Sequence, residues 1–531
     1  MYENVMALSR RATLKTAKIA MIVALLVGCS SATAEANATA ADSPNILIIV
    51  ADQMRRPAMG FWREEEYQRA LNGVSDPVIT PNIDSLAAEG IVFTQAIANY
   101  PLCSPFRAML LSGLYPNKNG VDTNTRKDRD IGLRTDIETL PEVLKSAGYE
   151  TAFVGKAHWH KNEPLFDADG NYQGTTEPPG GYYIAETDYD TYIPPGPNRH
   201  GFDYWYQSIS HAHRNPVIFS NDPSAIAGKA DGERHQKGIY STIDQADRIA
   251  DYLSPSQDKR DVNKPFFLLW GLDPPHSPYE SLEDTDAEIY EKYYQDEAIE
   301  DLLNRPNADH SIGKKYIRYY LSMITLIDRE IGRIIERLKE EGLYDNTIIV
   351  FTSDHGEMMG SHGETGKNKV LEESLGIPFI VSYPRRLAHR IDNLLFGIPD
   401  VMPTLLGLSG LSDQIPSYRQ GSDFSPLLLD PNSQLRRRVS SFYFGPKGQV
   451  GVRTLQYTFA VDRSGEVIAL YDNLEDPYQL TNLTLQTIPR EDRKMLKTQL
   501  GFWLCATQHD WYAEKRHSKR IKYPANKNCR Q

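Results

Sequence analysis

Cysteine is scarce in this chain: 531 residues contain only Cys29, Cys103, Cys505 and Cys529. Positive charge is not in excess either, because 58 Lys and Arg face 70 Asp and Glu, which gives a net charge of −12. A general nucleic-acid binder needs a basic surface, so we expect no nucleic-acid partner. Any anionic substrate must therefore be held by a local cluster of positive side chains. The chain also contains no internal repeat and no low-complexity segment.

Long apolar runs are absent after the first 29 residues, which excludes a later membrane-spanning helix. The early run "IAMIVALLVG" follows several basic residues and is too short to cross a bilayer, so residues 1–29 are predicted to be a signal peptide. Its end, "LVGCS", resembles a bacterial lipobox and predicts a lipid anchor on Cys29, with the protein exported to the periplasm or the outer membrane. The alternative is cleavage near "ATAEA", which discards Cys29. Residues 30–44 are small and polar, as in a flexible tether.

Disulfides form in exported proteins, so export limits how the remaining cysteines can pair. Cys505 and Cys529 are the natural disulfide pair, which leaves Cys103 unpaired. In "CSPFR", Ser104 is predicted to cap a helix that starts with Pro105. The helix amides and Arg107 would then favour an anion beside Cys103. A small buried residue is the alternative reading of Cys103, but a chemical role explains an unpaired cysteine better.

Short apolar runs alternate with helical patterns, which predicts an α/β sandwich with strands near residues 45–50, 151–154, 265–270 and 346–352. The segment from Pro164 to Lys264 lacks clear periodicity, which indicates long insertions that shape a pocket. Beyond about residue 437 the pattern alternates strictly, as in a small antiparallel sheet. We therefore predict a catalytic α/β domain at 45–436 and a smaller α+β subdomain at 437–531.

Polar residues follow each predicted strand of the sheet, at the edge where ligands bind in open α/β folds. They are Asp52, Gln53, Lys156, His158, His276, Asp354 and His355. Taken singly, each has a structural alternative such as a helix cap, a turn former or a solvated loop residue. Four strand ends that carry compatible chemistry favour one site. Asp52, Gln53, Asp354 and His355 offer mostly hard oxygen donors, which suit Ca²⁺ or Mg²⁺, although the imidazole leaves room for a softer metal such as Mn²⁺.

"CSPFR" resembles the C-x-P-x-R core of type I sulfatases, whose cysteine is oxidised during export to Cα-formylglycine. "GKAHWH", "PPHSPY", "TSDHGEMMGSHG" and "LYDNLEDPYQLTNL" are similar to other segments of that family, so the resemblance spans roughly residues 45–485. It implies an alkaline-phosphatase-like mixed sheet between helices. It also implies a maturation partner, either a formylglycine-generating enzyme or an anaerobic sulfatase-maturating enzyme. Phe106 stands where Ser is most usual.

The resemblance implies a role for each site residue. The metal ligands would be Asp52, Gln53, Cys103, Asp354 and His355, with Ca²⁺ as the expected ion. Modified Cys103 would supply the nucleophile, Arg107 would hold it, and Lys156 and Lys367 would neutralise the sulfate. His276 would protonate the leaving alcohol, and His158 would accept the proton whose loss releases sulfate. Lys367 is preferred to Lys369 because its spacing to "LEESLGIP" fits the family better.

Substrate identity is the least defined part of the prediction. The insertion contains "SHAHRNP", where His211, His213 and Arg214 are predicted to contact a charged sugar, or else only pack over the sheet. Export and long loops favour a sulfated polysaccharide or its fragments, such as carrageenan, ulvan, fucoidan or glycosaminoglycans. Two alternatives remain. The first is a phosphonate monoester or phosphodiester hydrolase, in which the same Gln and His combination occurs. The second is an inactive lipoprotein that binds sulfated glycans.

Overall fold

The fold is built on a mixed β-sheet whose central strand is buried on both faces. The computed structural model describes residues 43–126, 129–160, 190–209, 213–435 and 438–511. Its strands are β1 (Asn45–Ala51), β2 (Ile91–Phe93), β3 (Glu150–Gly155), β4 (Tyr204–Ser208), β5 (Ile218–Ser220), β6 (Phe266–Gly271), β7 (Thr347–Ser353), β8 (Phe379–Ser382), β9 (Arg390–Asp392), β10 (Ser441–Phe444), β11 (Val450–Arg453), β12 (Tyr457–Val461) and β13 (Val467–Asp472). The main sheet has nine strands in the order β5-β4-β3-β6-β1-β7-β8-β2-β9. Strands β3, β6, β1 and β7 are parallel neighbours, whereas β5 and β8 run antiparallel to theirs.

Helices cover both faces of this sheet. They are α1 (Glu65–Leu71), α2 (Pro81–Glu89), α3 (Cys103–Ser112), α4 (Pro116–Asn119), α5 (Leu140–Ser146), α6 (Ser241–Leu253), α7 (Ala287–Tyr293), α8 (Ile299–Leu302), α9 (His310–Gly313), α10 (Ile317–Glu340), α11 (Glu372–Leu375), α12 (Val401–Leu408), α13 (Ser425–Leu429) and α14 (Arg490–Ala506). Along β1, Ile46 and Ile48 point into one apolar core and Leu47 and Ile49 into the other. The continuous apolar sequence of β1 therefore reflects burial on two sides, as predicted for a covered sheet.

The second sheet is a four-stranded antiparallel meander, β10-β11-β12-β13, which confirms the predicted antiparallel segment. Its residues Phe442 and Val450 share one apolar core with Trp503 of α14 and with Phe106 of α3. The small sheet and the last helix thus belong to the same apolar core as the helix that carries Cys103. The predicted boundary at 436/437 lies outside the described residues.

Two local predictions need correction. Helix α3 begins at Cys103 itself, with Leu102 at the N-cap and no side-chain cap; Ser104 lies inside the helix, where its hydroxyl accepts from the Thr125 amide at 3.0 Å. The segment read as aperiodic insertions contains β4, β5 and α6, although residues 161–189 lie outside the described part. The strands were missed because they are short and rich in aromatic and polar residues.

The N-terminal predictions are not tested by the structure. Residues 1–42, which include the predicted signal peptide, Cys29 and most of the tether, lie outside the described residues. Among the helices of the described ranges, none is both long and apolar enough to cross a bilayer. Cys505 is disulfide-bonded, but its predicted partner, Cys529, also lies outside the described residues. Cys103 is a free, buried thiol.

Candidate active site

The candidate site lies where four parallel strands of the main sheet end side by side. Asp52 and Gln53 follow β1, Asp354 and His355 follow β7, and the segments after β3 and β6 carry Lys156, His158 and His276. Since β3, β6, β1 and β7 are consecutive in the sheet, their carboxyl ends form one edge. Helix α3 starts at this edge and brings Cys103 and Arg107 into the same cluster.

Four buried side chains surround a point that suits a cation. The ligand atoms of Asp52, Cys103, Asp354 and His355 all lie within 4.8 Å of one another. The Cys103 Sγ atom is 3.2 Å from Nε2 of His355 and 3.7 Å from Oδ1 of Asp52. The His355 Nδ1 atom lies 2.9 Å from the Gly356 carbonyl oxygen, to which it donates. Its Nε2 atom is therefore the nitrogen left to face the cluster.

Gln53 joins this cluster through an unusual backbone conformation. Its φ of 69° lies in the left-handed region, which a residue with a Cβ adopts at a cost. The Gln53 amide N–H donates to Oδ1 of Asp354 at 3.0 Å, and its carbonyl accepts from the Tyr320 hydroxyl at 2.8 Å. The Gln53 side-chain oxygen Oε1 then lies 2.6 Å from Nζ of Lys367. The strained backbone thus holds Gln53 against Asp354 through its N–H, while its neutral side-chain oxygen contacts Lys367.

The charges of the two carboxylates in the cluster suit a divalent cation. Burial, together with the nearby charge of Asp52, raises the pKa of Asp354 to about 7. Burial opposes ionisation of Asp52 as well, but Lys156 and His276 lower the pKa of Asp52 well below its usual value. A divalent cation between the two carboxylates would remove their mutual repulsion. The donor set of carboxylate and amide oxygens with one imidazole fits such an ion.

The thiol of Cys103 lies in a strongly positive environment. Burial and the Asp52 carboxylate would raise its pKa, but Lys367, His355 and Lys156 outweigh them and hold the pKa of Cys103 well below its usual value. Positive charge at this position equally stabilises any anion formed on or beside residue 103. Lys367, His355 and Lys156 thus add positive charge at the start of this helix, and anion binding there stays a prediction.

Arg107 contacts both the carboxylates of the cluster and the backbone of Lys156. Its NH2 atom lies 3.3 Å from Asp52 Oδ2 and 3.3 Å from Asp354 Oδ2, and its NH1 atom donates to the Lys156 carbonyl at 2.6 Å. The Lys156 ammonium lies 2.7 Å from Asp52 and 2.9 Å from Asp273. Asp273 was not predicted. Its position two residues after β6 reads as an ordinary turn former in "LDPPH", and only the fold shows that it faces Lys156.

The two histidines differ in their contacts. His276 Nδ1 lies 2.8 Å from the Ser277 carbonyl, to which it donates, and its Nε2 atom lies 2.5 Å from Lys367 Nζ. Burial, Lys367 and Lys156 lower the pKa of His276, so Lys367 donates to an unprotonated Nε2. His158 is buried with a φ of 52°. Within the described residues, neither of its ring nitrogens has a protein hydrogen-bond partner.

The structure separates the two candidate lysines. Lys367 contacts Gln53 and His276, as described above, whereas Lys369 forms an ion pair with Glu364 and is 41% exposed. The sequence could distinguish them only by spacing. In the structure Lys367, and not Lys369, reaches the cluster.

The three predicted sugar contacts have different positions. His211 lies outside the described residues. His213 is buried, with Nε2 2.7 Å from the His276 carbonyl oxygen and Nδ1 3.4 Å from Asp273 Oδ2. Arg214 is 44% exposed, lies over the Tyr240 ring and faces Glu283. His213 therefore contacts the backbone of the predicted acid, and a direct sugar contact by any of the three stays a prediction.

Comparisons with known proteins agree with this geometry. The chain matches the family described as sulfatase over residues 44–411 and the one described as N-sulphoglucosamine sulphohydrolase, C-terminal, over residues 360–503. It is 39% identical to an endo-4-O-sulfatase of Bacteroides thetaiotaomicron, covering 91% of this chain and 96% of that one. It is 30% identical to an ulvan-active sulfatase of Formosa agariphila, covering 83% of this chain and 77% of that one.

A solved structure is also similar over nearly the whole chain. It is described as part of the metabolism of multiple glycosaminoglycans by Bacteroides thetaiotaomicron, and it matches with a TM-score of 0.82 at 38% identity. The match covers 91% of this chain and all of that one. It includes the predicted mixed α/β architecture with a separate small antiparallel sheet.

Proposed function

Because this chain belongs to the sulfatase family and is a sulfuric ester hydrolase, we propose that it removes sulfate from polysaccharides or their oligosaccharides, using a formylglycine formed from Cys103. The observation that carries the proposal is the position of Cys103. It is the first residue of α3, and its Sγ atom lies among the ligand atoms of Asp52, Asp354 and His355. A residue there is held next to both a cation site and the positive charges that a sulfate group requires.

Two groups would complete this site. Asp52, Gln53, Asp354 and His355 would hold a divalent cation, most simply Ca²⁺, and this ion would supply Lewis acidity. An aldehyde at position 103 supplies, as its hydrate, one hydroxyl that attacks sulfur and a second whose deprotonation releases the sulfate.

The surrounding side chains then have defined tasks. Arg107 and Lys156 lie against the carboxylates and fix the positive face that receives the nonbridging sulfate oxygens. Lys367 and His276 share a proton across 2.5 Å, and His276 passes it to the departing sugar oxygen. His158, whose ring nitrogens have no protein partner in the described part of the chain, accepts the hydroxyl proton at the release step.

The substrate class rests on the relatives. An endo-4-O-sulfatase and an ulvan-active sulfatase are both similar to this chain along most of their length. We therefore propose a sulfated glycan as substrate, with 4-O-sulfate esters within glycosaminoglycan chains as the first to test. The predicted export signal and lipid anchor on Cys29 fit an enzyme that meets such glycans outside the cytoplasm; export and anchoring are part of the proposal.

A sulfate-release screen tests the substrate. Purified enzyme is incubated with 4-O- and 6-O-sulfated glycosaminoglycan fragments, ulvan, fucoidan and carrageenan fragments, an aryl sulfate and an aryl phosphonate. We expect sulfate release from at least one glycan and faster turnover of the aryl sulfate than of the phosphonate. Inert glycans with good turnover of the aryl sulfate would contradict the glycan proposal. Preference for the phosphonate would support the phosphonate hydrolase, and inactivity on every compound would support the binding lipoprotein.

Peptide mass spectrometry tests the modification. Protein from a host with a maturation enzyme should contain an aldehyde in place of the Cys103 thiol, and Cys103→Ala should lose turnover while it keeps its melting temperature. Fully active protein that contains only the thiol would overturn this part of the proposal. Radiolabelled palmitate incorporation, compared between wild type and Cys29→Ser, tests the anchor separately.

A further inference from the structure

Glu357 is a buried carboxylate that the proposed mechanism does not use. It lies in the loop after β7, three residues beyond Asp354, and it is fully buried. Its Oε1 atom accepts hydrogen bonds from the Met359 amide at 3.0 Å and from the Gly366 amide at 2.6 Å. Its Oε2 atom accepts from the side-chain amide of Gln53.

All of these partners are donors. A carboxylate can accept on both oxygens, whereas a glutamine of the same shape has one acceptor and one donor end. A glutamine at 357 whose oxygen serves the two backbone amides would turn its NH₂ toward the NH₂ of Gln53. Three donors on its two oxygens therefore fit a glutamate at this position, and they compensate for the burial of its side chain.

The contact with Glu357 decides which end of the Gln53 amide faces the cluster. A side-chain amide occupies nearly the same volume in its two orientations, so its neighbours select one. With Nε2 held by Glu357, the Oε1 atom faces Nζ of Lys367, 2.6 Å away. In the opposite orientation an NH₂ group would face the lysine and the cation. It could neither accept a hydrogen bond from the lysine nor coordinate the cation.

The same carboxylate also positions the lysine. Gly366 precedes Lys367, and its amide donates to Glu357 Oε1. The two oxygens of Glu357 thus hold two groups from different parts of the chain. One is the side-chain amide of Gln53 after β1, and the other is the loop that carries Lys367.

We propose that Glu357 is a positioning residue that orients Gln53 as an oxygen donor to the cation and fixes Lys367 beside it. This inference rests on the proposed function, because it takes Gln53 as a ligand. The test uses the full-length protein stripped of metal with a chelator, and it measures Ca²⁺ affinity by titration calorimetry. That readout does not require turnover or modified Cys103.

Glu357→Gln should weaken Ca²⁺ binding by about 10- to 100-fold, the usual effect of losing a hydrogen-bond partner of a metal ligand. Gln53→Glu should also weaken it, because two carboxylates would then face each other. The double variant Gln53→Glu, Glu357→Gln restores one donor and one acceptor with the charge moved to residue 53, so it should regain most of the affinity. Glu364→Gln, in the same loop and 42% exposed, is the matched control and should bind as wild type does.

The possible results distinguish failure of this inference from failure of the proposed function. If wild type binds Ca²⁺ and Glu357→Gln binds it equally well, the inference is overturned and the proposed function stands. A single variant that loses binding, with no recovery in the double variant, also overturns it by assigning the loss to general damage. If Glu357→Gln does not fold, a double variant that folds and binds supports the inference, and one that does not fold overturns it. A wild type that binds no Ca²⁺ overturns both the cation site and this inference.

Discussion

Lys156 and Asp273 form a buried ion pair, with 2.9 Å between Nζ and Oδ1, at the ends of the neighbouring strands β3 and β6. The same ammonium lies 2.7 Å from Asp52. Asp273 thus holds Lys156 between two carboxylates and prevents it from pairing with Asp52 alone. Burial would lower the pKa of Lys156, but the two carboxylates raise it, so the ammonium stays charged.

Asp273→Asn should lower kcat/KM by about 100-fold, since displacing a substrate-binding group by about 1 Å has effects of that size. The amide keeps a hydrogen bond to Lys156, so we expect the melting temperature to change little. Steady-state kinetics on the sulfated substrate and thermal denaturation measure both. The control is Asp203→Asn, which removes an ion pair with Lys145 in which both side chains are about half exposed. Wild-type kinetics in Asp273→Asn would show that Asp52 alone positions Lys156.

Cation removal should reduce both activity and stability. Ca²⁺ at a free concentration of 100 times its Kd stabilises the folded state by about 2.7 kcal/mol. Here the ion would relieve the repulsion that raises the pKa of Asp354. Metal-stripped wild type should therefore melt earlier and regain its melting temperature and turnover when Ca²⁺ is added. Asp354→Ala should lose the response to Ca²⁺. An equal rise in melting temperature in both proteins would place the ion elsewhere.

The sequence predicts the site better than it predicts the support around it. Asp52, Lys156, His276 and Asp354 are visible because each directly follows or closely follows an apolar run, and parallel strands bring such positions to one edge. Asp273 and Glu357 are not visible. Both are acids in turns, and nothing local distinguishes them from exposed turn residues until the fold buries them against Lys156 and Gln53.

The fold shows the same division. Long apolar strands such as β1 and β7 are recognised because burial on both faces leaves no polar position. Strands β4 and β5 are short, and β4 contains "YWYQS", whose aromatic and polar residues resemble a loop. Their assignment depends on pairing with β3 and with each other, which is long-range information. The start of α3 was misplaced by two residues because Ser104 offered a cap that the helix does not use.

Glu372 connects the loop behind Lys367 to the small sheet. Its Oε1 atom lies 2.8 Å from Arg453 of β11, and its Oε2 atom lies 3.0 Å from Arg56. Burial alone would raise the pKa of Glu372, but the two arginines outweigh it and lower the pKa to about 2. The ion pairs therefore stabilise the fold above the ordinary glutamate pKa, and this stabilisation is lost as the pH falls toward 2.

Glu372→Gln should lower the free energy of unfolding at pH 7 by about 3 to 5 kcal/mol, because it leaves the buried Arg453 and the partly buried Arg56 without a counter-charge. Urea denaturation at pH 7 measures this. Glu65→Gln, which removes the exposed pair with Arg69, is the control and should change the free energy by less than about 1 kcal/mol. Equal stability in the two variants would mean that the buried cluster contributes no more than a surface pair.

Asp328 of α10 caps the N-terminus of α2 from a buried position. Its Oδ1 atom accepts from the Ile83 amide at 2.7 Å and from the Asn82 amide at 3.0 Å. Burial nevertheless outweighs these hydrogen bonds and raises the pKa of Asp328 to about 7. The folded protein therefore holds this proton more tightly than the unfolded chain, whose aspartates titrate near 3.9. The contribution of Asp328 to stability is thus fully present below about pH 4 and is lost as the pH rises through about 7.

Asp328→Asn removes this titration while it keeps a carbonyl oxygen for the two amides. As the pH rises from 5 to 7.5, the wild type should therefore lose about 2 kcal/mol of unfolding free energy that the variant does not lose. Only the wild type holds a proton at residue 328 whose contribution disappears in this range. Urea denaturation of both proteins at the two pH values measures the difference. Asp301→Asn, at an exposed position of α8, should follow the wild-type pH dependence. If the difference between Asp328→Asn and wild type is the same at pH 5 and pH 7.5, Asp328 does not titrate in this range and its hydrogen bonds, not its burial, set its charge.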